Sequence, residues 1–288
     1  MVYELAKQDE RIVFIGSDLG AGVMEDFKRE MPDRFFMEGI GEANMVGMAA
    51  GMALSGKIVY CHTIATFLTR RAFEQVCIDV GLHHANVRLI GAGGGSVYAP
   101  LGPTHLAVDD IALMRTIPGM TILSPCDAGE MERLMPSTVN HEGPMYIRLG
   151  KGGDPPVGSH YCRTDAKILV MSTGTATQIA YGAWEVLKER VSLWHVPYLK
   201  PLDVDRLQGY VAGKSVIVTV EDHSIIGGLG SAVAEALLES GWSGKFKRIG
   251  YPDVFPSGYG TQDEMRARYG ISVDHIVQTV KELRGITG

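Results

Sequence analysis

Short apolar runs recur along this chain and alternate with longer stretches in which apolar residues return every three or four positions. RIVFIG (11–16), RFFME (34–38), KIVYCH (57–62), VRLIGAG (87–93), MTILSP (120–125) and MYIRLG (145–150) have the length and residue content of strands. Between them, EANMVGMAAGMALS (42–55) and LTRRAFEQVCIDVGLHHA (68–85) carry the spacing of helices with one apolar face. Strand–helix–strand alternation predicts a parallel sheet covered by helices on both faces.

The texture changes at KGGDPPVGSHYCRTD (151–165), which is rich in Gly and Pro and has little apolar periodicity. Such a stretch reads as an interdomain linker. Beyond it the alternation restarts with KILVMSTGT, a helix through AWEVLKER, VSLWHV, SVIVTVEDH, GSAVAEALLES and FKRIGYP, and ISVDHIVQTVKELRG closes as an amphipathic helix. The pattern predicts an α/β chain of two consecutive domains, each a mainly parallel sheet flanked by helices. They cover residues 1–153 and 165–288, with 154–164 as the linker.

Composition narrows the class. With 288 residues, 45% hydrophobic, 21% charged and 36 glycines, the chain is that of a soluble globular protein with many turns. The net charge of -6 argues against a nucleic-acid-binding surface, which shows as a basic excess. No apolar run has transmembrane length, and MVYELAKQDERIVF lacks the basic-then-apolar layout of a signal peptide. Cys61, Cys77, Cys126 and Cys162 form no C-x-x-C pair, so buried reduced thiols, no zinc site and a cytoplasmic location are expected.

Open parallel sheets bind ligands at the carboxyl ends of their strands. That directs attention to GSDLGAG, GIGE, TIATF and GAGGGSVYAPLGPTH. Glu42 begins the Met/Ala/Gly-rich helix. It reads as a first-turn acid facing the helix dipole, worth about 0.3–1 kcal/mol, or as a carboxyl in apolar surroundings that exchanges a proton near neutral pH. Gly39 and Gly41 beside it would let a ring approach. Phe67 reads as a core residue followed by solvated Arg70 and Arg71, or as a platform for a flat heterocycle with an arginine at its rim. His105, after a Gly-Pro turn, reads as a turn histidine or a general acid–base group. Asp109 and Asp110 read as first-turn residues of the next helix.

Other features weigh less. GAGGGS (91–96) lacks the endings of both nucleotide-loop motifs and reads as a flexible loop beside the site. IIGGLGSAVAEAL (225–237) is a glycine turn suited to close helix packing, with anion binding as the alternative. Adjacent His83 and His84 point different ways on a helix, which disfavours a shared metal, and Asp203–Asp205 caps a helix.

Taken in order, GSDL, RFF–EGIGEANMVGMAAGMA, TFLTRRAFEQV, GPTH and EDHSIIGGLGSAVAE resemble the C-terminal half of the transketolase family over nearly the whole chain. That half comprises the pyrimidine-binding domain and the C-terminal domain. Deoxyxylulose-phosphate synthase, a relative, shares the TFL-x-RA pattern. Beta subunits of 2-oxo-acid dehydrogenases share the domain order but look more distant. The resemblance implies thiamine diphosphate as cofactor. A glutamate at the position of Glu42 would hydrogen-bond the aminopyrimidine and favour the imino tautomer, which takes the thiazolium proton to give the ylid. It further implies Phe67 as the stacking partner, Arg70 as a neighbour of that ring, and Asp18 and Leu19 as cofactor contacts at a subunit boundary. His105 would handle protons of sugar hydroxyls, and Arg148 would bind an anionic end of the sugar.

The family holds the diphosphate and its divalent metal, commonly Mg2+, through a Gly-Asp-Gly segment followed by an Asn. No Gly-Asp-Gly occurs here. The resemblance therefore implies a partner chain carrying that half, in a heterotetramer of two copies of each subunit. The reaction implied is transfer of a two-carbon ketol unit from a ketose to an aldose. Alternatives are a 2-oxo-acid dehydrogenase beta subunit or a non-catalytic regulatory subunit. Gly93 and Leu101 stand where the family supplies a histidine and an acid that read the sugar, which implies an unusual donor or acceptor. The start before ELAKQDERIV is shorter than in family members. The second domain is expected to serve assembly, with His223 within reach of a site.

Overall fold

The computed structural model describes residues 1–17, 24–153, 155–158 and 161–284. The first domain is built on β1 (Ile12–Gly16), β2 (Phe35–Met37), β3 (Ile58–Ile64), β4 (Val87–Ala92), β5 (Thr121–Leu123) and β6 (Met145–Leu149). These six strands run parallel. Alternate residues of each strand enter opposite faces, as the two-residue repeat requires. Ile15, Val59, Cys61 and Leu89 pack with Met45, Val46 and Ala49 of the helix Glu42–Leu54, whereas Phe14, Tyr60 and Ile90 pack with Phe27, Met131 and Met135. Helices cover both faces, so the strands read as continuous apolar runs in the sequence.

The second sheet contains β7 (Tyr161–Cys162), β8 (Ile168–Ser172), β9 (Ser192–His195), β11 (Val216–Ser224) and β12 (Lys245–Tyr251), in the order β12-β11-β8-β9-β7. β7 lies within the stretch that reads as linker and pairs antiparallel with β9. β10 (Tyr198–Lys200) leaves the second domain and adds an antiparallel edge to β5, so the first sheet reads β10-β5-β6-β4-β3-β1-β2. Each of these short strands finds its partner outside its own sequence neighbourhood, and neither has a periodic pattern to announce it. The two domains also share apolar packing. Trp194, Leu169, Met171 and Ile217 belong to the same buried cluster as Ile15, Met45 and Val59.

No helix among the described residues is long and apolar enough to cross a membrane.

Candidate active site

The carboxyl ends of β1 to β4 lie at one edge of the first sheet, and three of the expected residues gather there. Glu42 is the first residue of the helix Glu42–Leu54, with Gly41 as its N-cap. Small residues at Ala43, Gly47, Ala49, Ala50 and Ala53 keep this helix slim against the sheet, and the carboxyl is drawn inward to 2% exposure. Phe67 follows β3 and opens a wide π-helical turn over Phe67–Arg71. Such turns displace successive side chains from α-helical register, and here Arg70 and Arg71 reach different partners.

Arg71 crosses Phe67, its guanidinium carbon 4.4 Å from the ring centroid, and its Nη1 donates to Oε2 of Glu42 at 2.6 Å. Arg70 instead donates from Nε and Nη2 to both oxygens of Asp109 at 2.8–3.0 Å, and from Nη2 to the carbonyl of Leu106 at 2.8 Å. Arg70 thus fixes the loop that carries His105. The His105 ring meets Phe67 edge-on, with centroids 5.2 Å apart, and its Nδ1 is 2.9 Å from Thr104 Oγ1. That contact sets the ring's orientation and leaves Nε2 as the atom with which His105 can exchange a proton. Beside Phe67, the buried Thr66 Oγ1 has no hydrogen-bond partner among the described residues.

The structure therefore brings Glu42, Phe67 and His105 together and adds Arg71, which from sequence reads, with Arg70, as a solvated cation. The signal for Arg71 is present in the doubled arginine soon after Phe67, but only the wide turn decides which of the two faces the site. Asp18 and Leu19 lie outside the described residues.

Arg148, expected to bind an anionic end of the sugar, lies buried at the junction of the two domains. Its side chain is 4% exposed, and Nε pairs with Asp110 Oδ2 at 2.7 Å. Its Nη2 donates to the carbonyls of Ala107 and Asp222 at 3.1 and 2.9 Å. Burial disfavours its charge, but the Asp110 carboxylate outweighs this and holds the guanidinium protonated above its ordinary value. The residue ties the first domain to β11 of the second, because strand β6 delivers it to the sheet edge against which that domain closes.

The same junction absorbs the glycine loop after β4. Gly95 has φ +75°, and a Cβ there would fall 2.4 Å from the Asp222 carboxylate. Its neighbour Ser96 donates to Asp222 through both N–H and hydroxyl. The expected flexible loop is buried and tied down. Burial acts to raise the Asp222 pKa, but Arg266 and Arg148 prevail and hold it below the ordinary aspartate value. Glu221, next to it, is pushed up by burial, although it accepts the N–H groups of Leu229 and Gly230 at 2.7 and 2.8 Å. The helix start at EDHSIIGGLG thus receives an internal carboxyl in place of an external anion. His223 is buried, takes the Ala112 N–H on Nε2 at 3.3 Å and gives Nδ1–H to the Ser224 carbonyl at 2.7 Å. It supports the helix Asp110–Arg115 (first-turn acid Asp110, N-cap Asp109) from behind.

Comparison with known proteins agrees with this architecture. Residues 1–153 match the transketolase pyrimidine binding domain, and residues 160–276 match the transketolase C-terminal domain. A subunit of the apulose-4-phosphate transketolase of Phocaeicola vulgatus is 35% identical, covering 97% of this chain and 93% of the relative. A 6-deoxy-6-sulfo-D-fructose transketolase subunit of Clostridium is 32% identical, covering 98% and 92%. Among solved structures, one described as a split gene transketolase, inactive beta4 tetramer, superposes with TM-score 0.89 at 31% identity, covering 100% of this chain and 96% of that one.

Proposed function

This chain belongs to the transketolase family, and on that premise we propose that it is one subunit of a split transketolase. The complete enzyme moves a two-carbon ketol unit from a ketose with an anionic end to an aldose, using thiamine diphosphate. The carrying observation is the buried Glu42 carboxyl joined through Arg71 to the flat face of Phe67, with His105 in a T-shaped contact with the same ring.

These residues fit the aminopyrimidine half of the cofactor. Phe67 offers an aromatic face already used by a planar guanidinium, and planar groups stack there at little conformational cost. Glu42 offers one carboxyl in a water-poor setting, and Thr66 Oγ1 is a buried polar atom with no hydrogen-bond partner among the described residues. The cofactor, when bound, supplies the electron sink for carbanion chemistry. Glu42 would hold the ring through a shared proton, Phe67 would orient it by stacking, and His105 Nε2 would move a proton to or from a substrate hydroxyl. Arg71 must release both Glu42 and Phe67 for the ring to enter. Arg70 positions the His105 loop through Asp109 and Leu106.

The diphosphate and its divalent metal would fall to a partner chain, as the relatives of similar length that are named as subunits suggest. The relatives named as subunits, and the split-gene neighbour described as an inactive beta4 tetramer, support a two-chain enzyme. A heterotetramer of two copies of each chain satisfies a site shared between protomers. The relatives' transketolase names favour ketol transfer over 2-oxo-acid decarboxylation.

The test is to recover the tagged chain from its native host and identify stoichiometric companions by mass spectrometry. A companion carrying Gly-Asp-Gly followed by Asn, with ketol transfer by the pair, is expected. Recovery of the chain alone, or with a companion lacking that segment, contradicts the proposal.

A further inference from the structure

A second group of reactive side chains lies at the other end of the first sheet. Cys126 follows β5 and Glu42 follows β2, five strand positions apart, or on the order of 20 Å at about 4.8 Å per strand. Asp127 caps the helix Ala128–Leu134, accepting the Glu130 N–H at 2.7 Å. Glu130, one turn along, turns back so that Oε2 accepts the Cys126 N–H at 2.8 Å. The same oxygen lies 2.7 Å from Nε2 of His195, the last residue of β9 in the second domain.

We propose that Cys126, Glu130 and His195 form a site for a divalent transition-metal ion, zinc foremost, which clasps the two domains together, with Asp127 as fourth ligand. The Cys126 sulfur, a Glu130 oxygen and a His195 ring nitrogen all lie within 4.8 Å of one another, and all three residues are buried. Asp127 Oδ2 is 3.6 Å from the sulfur. Zinc bonds of about 2.0–2.3 Å separate tetrahedral donor atoms by roughly 3.3–3.8 Å. The set therefore needs only small side-chain shifts to close around an ion. Thiolate, imidazole and carboxylate are the donors zinc takes, whereas Mg2+ and Ca2+ prefer oxygen alone.

The surroundings have the features of an outer shell. His195 Nδ1 is 2.7 Å from Thr177 Oγ1, which takes the Ser172 hydroxyl at 3.0 Å. A metal-bound histidine uses its second nitrogen in this way. A cavity of about 220 Å3, lined by Met1, Cys126, Asp127, Met131, Gly152 and Thr175, opens this corner to solvent and offers an entry path. The Arg133 guanidinium, 3.9 Å from Glu130 Oε1, offsets excess negative charge.

The proton count closes. In the metal-free chain a proton lies between His195 Nε2 and Glu130 Oε2. On binding, the neutral imidazole carries its proton on Nδ1, facing Thr177, and frees Nε2 for the ion. The Cys126 thiol releases its proton to solvent as it becomes a thiolate ligand. Sequence spacing conceals the site, because Cys126 and Glu130 are one helical turn apart and His195 lies in the other domain.

The test uses the full-length chain, purified without a histidine tag or chelator and assayed for zinc by mass spectrometry. Metal-free protein is then titrated with Co2+, reading thiolate-to-cobalt charge-transfer absorption. The proposal expects stoichiometric zinc or cobalt, a charge-transfer band that Zn2+ abolishes, and loss of that band in Cys126→Ser. Thr177→Val should keep the band while weakening affinity about 10- to 100-fold. Absence of the band in wild type, its persistence in Cys126→Ser, or unchanged affinity in Thr177→Val overturns it. If Cys126→Ser does not fold, the wild-type band and the Thr177→Val titration still decide.

Discussion

Arg71 places its Nη1 2.6 Å from Oε2 of Glu42. The Glu42 side chain is 3% exposed and that of Arg71 47%, so a buried carboxylate is matched by a half-solvated cation. With its guanidinium lying on Phe67, Arg71 covers both surfaces assigned to the cofactor ring.

Removing Arg71 therefore leaves Glu42 buried without its partner. Arg71→Met in the isolated chain should cost about 1–2 kcal/mol, discounted for the exposure of the cation. Glu42→Gln should recover part of this, giving a measurable coupling in a double-mutant cycle of urea unfolding. Strictly additive single effects would show that the pair contributes nothing.

Phe67→Ala separates binding from folding. The ring is only partly buried in the isolated chain, so its unfolding midpoint should move little. In the reconstituted pair, thiamine diphosphate should bind about tenfold more weakly or worse, from the lost stacking and apolar contact. Calorimetric titration of the assembled enzyme measures this, and unchanged affinity would remove Phe67 from the site.

Arg148→Met strikes the domain junction. It leaves the buried Asp110 carboxylate without its cation and with only the Tyr146 hydroxyl on Oδ2, while Oδ1 already has no hydrogen-bond partner among the described residues. Breaking a buried pair in this way should cost about 3–5 kcal/mol. Arg148→Lys should rescue little, because the native contacts use two separate guanidinium nitrogens. Urea unfolding of the three proteins distinguishes this tether from a solvent-facing substrate anchor, whose loss would leave stability near wild type.

Asp222 supplies a pH signature. Its folded-state pKa lies below the ordinary aspartate value of 3.8, because Arg266 and Arg148 outweigh burial. It binds its proton less readily folded than unfolded, so its contribution is full above that ordinary value and is lost as pH falls through the folded pKa. The gap in unfolding free energy between wild type and Asp222→Asn should be widest near neutrality and close on acidification below about pH 4. Glu221, shifted upward by burial, works in the opposite sense but is common to both proteins. A gap that stays constant with pH would refute the assignment.

Much of this was legible from local pattern. The strands β1, β3, β4 and β11 are largely buried apolar runs, and the helix at 42–54 announces itself through its small and apolar residues. Glu42, Phe67 and His105 could be marked because each follows a strand at its carboxyl end. Arg71 was hidden by the wide turn, which alters which side of the helix a residue faces. Arg148, Asp222 and Arg266 were hidden because their meaning lies in contacts between domains. β10 was hidden because three residues pair with a strand some 75 positions earlier.

The most direct measurement is ketol transfer by the reconstituted pair with Glu42→Gln in this chain. Loss of an essential proton-transfer group should lower turnover by about 10²–10⁴-fold while assembly is retained. Turnover within about tenfold of wild type would contradict the central claim that Glu42 governs the cofactor's protonation.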